Sequence, residues 1–203
     1  MNIMKFGRAA IILLSLLSSF TWTAAWGQLP SMTELTVTAV QEEYGKWMVQ
    51  FNWSDMDEYD RSMAHGDSTS GKVAIHTDTL TLASSMDRSK SMKVSVITYS
   101  QSDPSHANMS SMTALANNTL ADSDVCQNIN ISERLIEGRT GVSASGLKCR
   151  TGKMVYAAVY PVPYHLDRPG GVLPSDAIGL ILSTYDLEAT ERFVNSIKIV
   201  QIK

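Results

Sequence analysis

Hydrophobic and polar residues alternate along much of the chain, and a period of two is typical of β-strands with one buried face. The clearest example is residues 47–53, where Trp47, Val49, Phe51 and Trp53 fall on one face. Alternating or β-branched runs predict strands over residues 35–40, 47–53, 73–82, 93–99, 129–136, 140–147, 154–160, 177–183 and 197–202. Strand-forming segments therefore dominate the sequence.

Two segments instead place apolar residues three and four positions apart, the pattern of an amphipathic helix. The first helix is predicted to begin at Asp103 as its N-cap, with Pro104 in the first turn. Its apolar stripe comprises Met109, Met112, Thr113, Ala116 and Leu120. The second helix is predicted to begin after Asp186. Its stripe comprises Leu187, Thr190, Phe193, Val194 and Ile197.

The order of these elements predicts an α+β fold. Runs of consecutive strands favour an antiparallel sheet, and the two helices would pack on it. The central run, residues 129–183, is expected to form a meander with turns at Glu137-Gly138 and Thr151-Gly152. We expect a single α+β domain over residues 28–203.

Two polar segments between these elements are interpreted as loops. Residues 55–70 hold Asp55, Asp57, Glu58 and Asp60, which suit a solvated surface loop better than a calcium site, because the glycine and distal glutamate of an EF-hand loop are absent. The second loop, residues 161–174, is rich in proline and long for a compact domain.

The proline-rich loop is the best candidate for a binding site. Within this loop, a five-residue stretch holds four polar or charged side chains that could bind a polar or anionic ligand: Tyr164, His165, Asp167 and Arg168. The alternative is a rigid surface excursion in which Tyr164 and Leu166 pack on the sheet edge. The sequence leaves both interpretations open.

The first 27 residues have the pattern of a secretory signal peptide. Lys5 and Arg8 precede an apolar run at residues 9–20, and Ala25-Trp26-Gly27 suits cleavage before Gln28. An uncleaved membrane anchor is the alternative, because residues 9–26 are at the short end of a membrane span. We therefore expect an exported protein, outside the cell or at its surface.

The two cysteines are expected to form a disulfide bond. A two-residue loop at Glu137-Gly138 pairs Ile136 with Arg139, and the same register sets Cys126 opposite Cys149. Opposed Cα atoms in an antiparallel pair lie about 4.5–5.5 Å apart, which a disulfide accepts. Export to an oxidising compartment favours a structural bridge.

Other chemistry is not indicated. The net charge of −3 argues against a nucleic-acid partner, because phosphate binding needs a basic face. His65, His76, His106 and His165 lack zinc-site spacing, and His76 is interpreted as a ladder residue of a strand. Ser143 misses the G-x-S-x-G motif of a hydrolase. We expect no metal site, no cofactor and no catalytic residue.

The order of elements also resembles known families. A helix, a meander with glycine at its first turn, and a last helix ending in Phe193-Val194-Asn195-Ser196-Ile197-Lys198-Ile199 resemble the PsbP-like α/β/α sandwich over about residues 90–202. Tyr44-Gly45-Lys46-Trp47, Phe51 and residues 94–99 are similar to uncharacterised exported proteins of methanogenic archaea.

These resemblances imply a non-catalytic binding or scaffolding domain. Its partner would be an unidentified protein or a small polar ligand at the cell surface, and any contact with the membrane would run through an uncleaved N-terminal segment. The alternative is an exported hydrolase with a site assembled around residues 161–174.

Overall fold

The computed structural model describes residues 37–54, 58–101, 104–168 and 171–202. The chain divides into two units, residues 1–34 and 35–203, and every described residue belongs to the second. The predicted signal peptide, residues 1–27, therefore lies outside the described residues.

The described part contains ten strands, two α-helices and one short 3₁₀ helix, which agrees with the predicted α+β class. In chain order these are β1 (Val37–Tyr44), β2 (Trp47–Ser54), β3 (Tyr59–Ser70), β4 (Val73–Ser84), β5 (Ser91–Tyr99), the 3₁₀ helix (Pro104–Ala107), α1 (Met109–Asp122), β6 (Val125–Ile136), β7 (Arg139–Lys148), β8 (Met154–Arg168), β9 (Gly171–Ser183), α2 (Leu187–Ser196) and β10 (Lys198–Gln201).

The strands form two antiparallel sheets rather than one. The large sheet has seven strands in the order β3-β4-β5-β9-β8-β7-β6, and the small sheet has three in the order β1-β2-β10. Strands β3 and β6 are therefore the two edges of the large sheet. The predicted closing strand at residues 197–202 exists as β10, but it pairs with β2 and not with the meander.

Each face of the large sheet has its own hydrophobic core. On one face, α1 buries Met112, Ala116 and Leu120 against residues such as Val142 and Val159. On the other face, the small sheet and α2 cover the larger core. Its members include Trp47, Phe51, Trp53, Leu80, Leu82, Tyr160 and Phe193. The alternating face predicted for β2 is thus buried as expected.

The residues predicted as a loop at 55–70 mostly form a strand, and that prediction was wrong. Residues 59–70 are β3, which pairs with β4 along its whole length. As an edge strand it has one neighbour, and all of its residues after Tyr59 are exposed. Because neither face of the strand is buried, the sequence shows no hydrophobic alternation there. Residues 55–57 lie outside the described part.

The prediction of a loop at 161–174 was also wrong, because residues 161–168 and 171–174 extend β8 and β9 into a two-stranded ribbon. The pairing of β8 with β7 ends at Val159 and that of β9 with β5 ends at Ile178, so each ribbon strand has one open edge beyond these residues. Pro161, Pro163 and Pro174 occupy alternate pairs of the ribbon, and the N–H of His165, in register with them, bonds outward to the Gln201 side chain at 2.9 Å. A proline facing an open edge breaks no ladder hydrogen bond.

The helix starts agree with the prediction in one case. Asp186 caps α2, and its carboxylate accepts from the Ala189 N–H at 2.8 Å. Leu187 is exposed, however, rather than part of the buried face. For α1 the cap is Asn108, because a 3₁₀ turn that begins at Pro104 precedes the helix. The predicted cap, Asp103, lies outside the described residues.

The predicted disulfide is confirmed, with the Cα atoms of Cys126 and Cys149 5.4 Å apart. The turn at Glu137-Gly138 and the pairing of Ile136 with Arg139 are confirmed as well. The direct opposition of the cysteines is wrong, because two irregularities between Val125 and Asn130 shift the register. The cysteines therefore meet diagonally, just beyond the end of β7.

Candidate metal centre on the β3–β4 hairpin

The residues of the predicted binding loop fall on the ribbon and are not gathered into one site. Tyr164 is buried, with its ring 5.7 Å from that of Trp47, so it packs in the core as the alternative interpretation proposed. His165 follows it on the opposite face and is exposed. Asp167 and Arg168 lie near the tip of the ribbon, and their side chains are outside the described part.

A different set of polar residues comes together on the β3–β4 hairpin. The sequence His-x-Asp occurs once on each strand, as His65-Gly66-Asp67 and as His76-Thr77-Asp78. The antiparallel register pairs His65 with Asp78 and Asp67 with His76. Because residues two apart in a strand share a face, all four side chains stand on the same side of the sheet.

The four side chains contact one another directly. His65 Nδ1 lies 2.9 Å from Asp78 Oδ1, and His65 Nε2 lies 3.1 Å from Asp67 Oδ2. His76 Nδ1 is hydrogen-bonded to the other oxygen of Asp67. The two imidazole rings are nearly parallel, with centroids 6.4 Å apart. One ligand atom each from His65, Asp67 and His76 lies within 4.8 Å of the others.

The contacts also affect protonation. The hydrogen bond to Asp78, with the charge of Asp67, raises the pKa of His65 above its usual value. The hydrogen bond from His76 lowers the pKa of Asp67. The carboxylate of Asp67 is therefore charged at neutral pH, as a metal ligand must be.

The carboxyl group of Asp78 lies close to the β1–β2 turn. The side chain of Asp78 is 19% exposed, against 57% for His65, 60% for Asp67 and 49% for His76. Gly45, in the turn, has a φ of +56°, and a Cβ there would lie 2.9 Å from the Asp78 carboxyl group. Glycine therefore serves both the left-handed backbone and the close approach of Asp78.

This arrangement has the parts of a transition-metal site. Imidazole nitrogens with a carboxylate oxygen suit Zn²⁺, Ni²⁺ or Cu²⁺. The Asp78 carboxylate is hydrogen-bonded to His65 Nδ1, and the other ring nitrogen, Nε2, faces Asp67. A metal-binding imidazole usually has such a carboxylate as the partner of its second ring nitrogen. Three protein ligands would leave coordination positions open to solvent or to a partner.

Sequence reasoning missed this cluster because it depends on strand pairing. Its two histidines, His65 and His76, lack the spacing of a helical zinc motif, and the polar composition of residues 55–70 predicts a loop. The available signal was the repeated His-x-Asp on either side of a turn at Gly71-Lys72. That repeat has meaning only if both flanking segments are strands.

Comparison of the chain with protein-family models, with curated proteins and with solved structures finds no match. Within the described residues, neither helix has the length and apolar character needed to cross a membrane. The disulfide bond is compatible with an extracellular location.

Proposed function

We propose that the protein is an exported, non-catalytic binding domain whose ligand is a divalent transition-metal ion. His65, Asp67 and His76 supply the ligand atoms, and Asp78 orients His65. The observation that carries this proposal is the convergence of both histidines on the one carboxylate of Asp67. Zn²⁺, Ni²⁺ and Cu²⁺ are the ions that this mixed nitrogen and oxygen set suits.

Export is supported by the signal-peptide pattern of residues 1–27 and by a disulfide bond that suits an oxidising compartment. A chain exported in this way meets its metal ion outside the cell or at the cell surface. A protein or small polar ligand at that surface is the partner we propose for the open coordination positions.

A binding role suits the position of the cluster better than a catalytic one. Metal catalysis benefits from a shaped cavity that excludes water. Here the side chains of His65, Asp67 and His76 are about half exposed on an edge hairpin. Such a site exchanges its ion with solvent and leaves room for a ligand atom from a partner molecule.

The finer fold assignment that we propose is the PsbP-like α/β/α sandwich. Its support is the placement of α1 and α2 on opposite faces of a central antiparallel sheet. The small sheet, which shares the α2 face, is an addition to that simple three-layer scheme.

The metal proposal is tested by calorimetric titration of the tag-free, disulfide-bonded protein with Zn²⁺, Ni²⁺ and Cu²⁺ in separate experiments. We expect one ion per chain. His65→Ala and His76→Ala should each weaken binding at least tenfold, and Asp78→Asn by about 10–100-fold, the usual cost of losing such a partner. His165→Ala is the matched control, since this histidine is also exposed and belongs to β8, which pairs with neither β3 nor β4.

A second readout is thermal stability, because an ion that binds only the folded chain stabilises it by about 2.7 kcal/mol at 100 times its dissociation constant. The proposal is wrong if no ion binds below millimolar concentration. It is also wrong if His65→Ala and His76→Ala together leave binding unchanged, since the ions would then bind elsewhere.

A further inference from the structure

The second edge of the large sheet has an unusual distribution of apolar side chains. Five large hydrophobic residues are exposed in the described part of the chain, and two of them, Ile129 at 50% and Leu135 at 68%, lie on β6. The other edge strand, β3, carries one of the five, Met63, together with the polar cluster of the candidate metal centre. An exposed edge with apolar side chains is where another strand would add.

The main chain of β6 is available for pairing. Ile136 and Arg139 flank a two-residue turn, so they form a hydrogen-bonded pair, and every second residue back from Ile136 also bonds to β7. The residues between them, Ile131, Glu133 and Leu135, therefore direct their N–H and C=O groups outward. Among the described strands, only β7 pairs with β6.

The apolar side chains are placed symmetrically on this edge. Ile129 and Leu135 each lie three residues from Ser132. Leu135 belongs to the outward-bonding set, and Ile129 lies just beyond the last regular pair, which joins Asn130 to Ser145. We propose that β6 pairs antiparallel with the β6 of a second copy of this chain, about a two-fold axis at Ser132. Ile129 then faces the partner subunit's Leu135, and Ile131 faces the partner subunit's Glu133.

Neighbouring registers are less favourable for reasons of charge and burial. An axis at Glu133 would set its carboxylate directly opposite the partner subunit's Glu133, and like charges in opposed positions destabilise a pair of strands. An axis at Ile131 would set Ile129 opposite the partner subunit's Glu133 and leave Leu135 without an apolar neighbour. Only the axis at Ser132 pairs both apolar residues and separates the carboxylates.

The structure at the two ends of β6 also limits the proposed strand pair to a short segment. The irregular pairing between Val125 and Asn130, with Asn128 at a φ of +51°, ends the regular edge on one side, and the turn at Glu137 ends it on the other. Arg134 points away from the face that carries α1, and its guanidinium donates to Glu191 at 2.6 Å. It therefore adds no charge to the apolar side of the proposed strand pair. A two-fold contact of this kind uses the same surface twice and closes on itself.

The pairing would join two seven-stranded sheets and extend the face that carries α1. An open groove of about 480 Å³ lies between α1 and β6, with Met109, Thr113, Ile131 and Glu133 among its walls. The partner subunit's Ile131 would stand beside Glu133 at the mouth of this groove. The two candidate metal centres would lie at the far ends of the joined sheet, so dimer formation and metal binding can be tested separately.

The first experiment measures mass in solution by light scattering over a concentration series. It uses unglycosylated protein, because Asn130-Ile131-Ser132 is a glycosylation acceptor on β6, and it includes EDTA to exclude pairing through a shared metal ion. We expect a dimer that dissociates on dilution. Leu135→Lys should shift the equilibrium to monomer, whereas Met86→Lys, at a residue that is 80% exposed elsewhere, should leave it unchanged.

The second experiment locates the axis. Residues opposed at a two-fold axis in the non-hydrogen-bonded position have Cα atoms about 4.5 Å apart, within disulfide range. Ser132→Cys should therefore form an intersubunit disulfide under mild oxidation, seen as a dimer on a non-reducing gel. Ile131→Cys and Glu133→Cys should not, because each would lie about 8 Å from its own copy.

The inference is overturned if the protein is a monomer at all concentrations in EDTA. It is equally overturned if Leu135→Lys forms dimers as readily as the wild type and the Met86→Lys control do, or if Ile131→Cys or Glu133→Cys cross-links in preference to Ser132→Cys. Because Leu135 is exposed in the single chain, its substitution should leave thermal stability of the monomer nearly unchanged.

Discussion

Removal of the disulfide bond should cost the protein about 3.4 kcal/mol of unfolding free energy. Cys126 and Cys149 are 23 residues apart in sequence, and the chain-entropy model gives this value for a loop of that length. Both cysteines are exposed, so replacing them with serine leaves no buried cavity. The loss should therefore come from the greater freedom of the unfolded chain.

The assay is urea denaturation of the wild type and of the Cys126→Ser/Cys149→Ser variant, with free energies from linear extrapolation. Since 1 kcal/mol shifts the melting temperature of a domain this size by about 2–4 °C, the variant should melt roughly 7–14 °C lower. The wild type in reductant should match the variant, and reductant should not affect the variant. A loss below about 1 kcal/mol would refute the reasoning, because the hairpin would then already be closed in the unfolded chain.

Three further predictions concern the core, the turn beside the candidate metal centre and the β6–β7 turn. Phe193→Ala removes a fully buried ring and should cost about 3–5 kcal/mol in the same denaturation assay. Gly45→Ala should destabilise more than Gly71→Ala, because both have positive φ but only the first would press on Asp78; equal losses would contradict the contact. Burial raises the pKa of Glu137 above 4.5, so its contribution is fully present below that pH and is lost as pH rises through the folded pKa. Glu137→Gln should flatten this fall in stability, measured by melting from pH 4 to 8.

Local sequence rules predicted the parts of the fold that bury one face. Trp47, Val49, Phe51 and Trp53 alternate because β2 packs one side on the large sheet, and α2 keeps its predicted cap at Asp186. The β6–β7 turn followed from Glu137-Gly138, where both residues have positive φ. In each case the signal lies within a few residues, so no knowledge of distant pairing was needed.

The same rules failed where a strand has only one neighbour. The edge strand β3 buries almost nothing, and the β8–β9 ribbon carries prolines toward its open edges, so both segments looked like loops. Polar composition and proline indicate that a strand lacks a pairing partner on one side, and they do not exclude a strand. The wrong prediction for β3 had the larger consequence, because His65 and Asp67 of the candidate metal centre lie on this strand.

The disulfide and the metal cluster differ in how much they depend on register. Cys126 and Cys149 meet even though irregularities shift the pairing. The reason is that the Cα separations a disulfide accepts span a range more than about 2 Å wide. The cluster has no such tolerance. A slip of one residue between β3 and β4 would turn His65 and Asp67 to the opposite face from His76, and the ligand set would be lost. A cross-strand site of this kind can be found from sequence only after both strands and their turn are known.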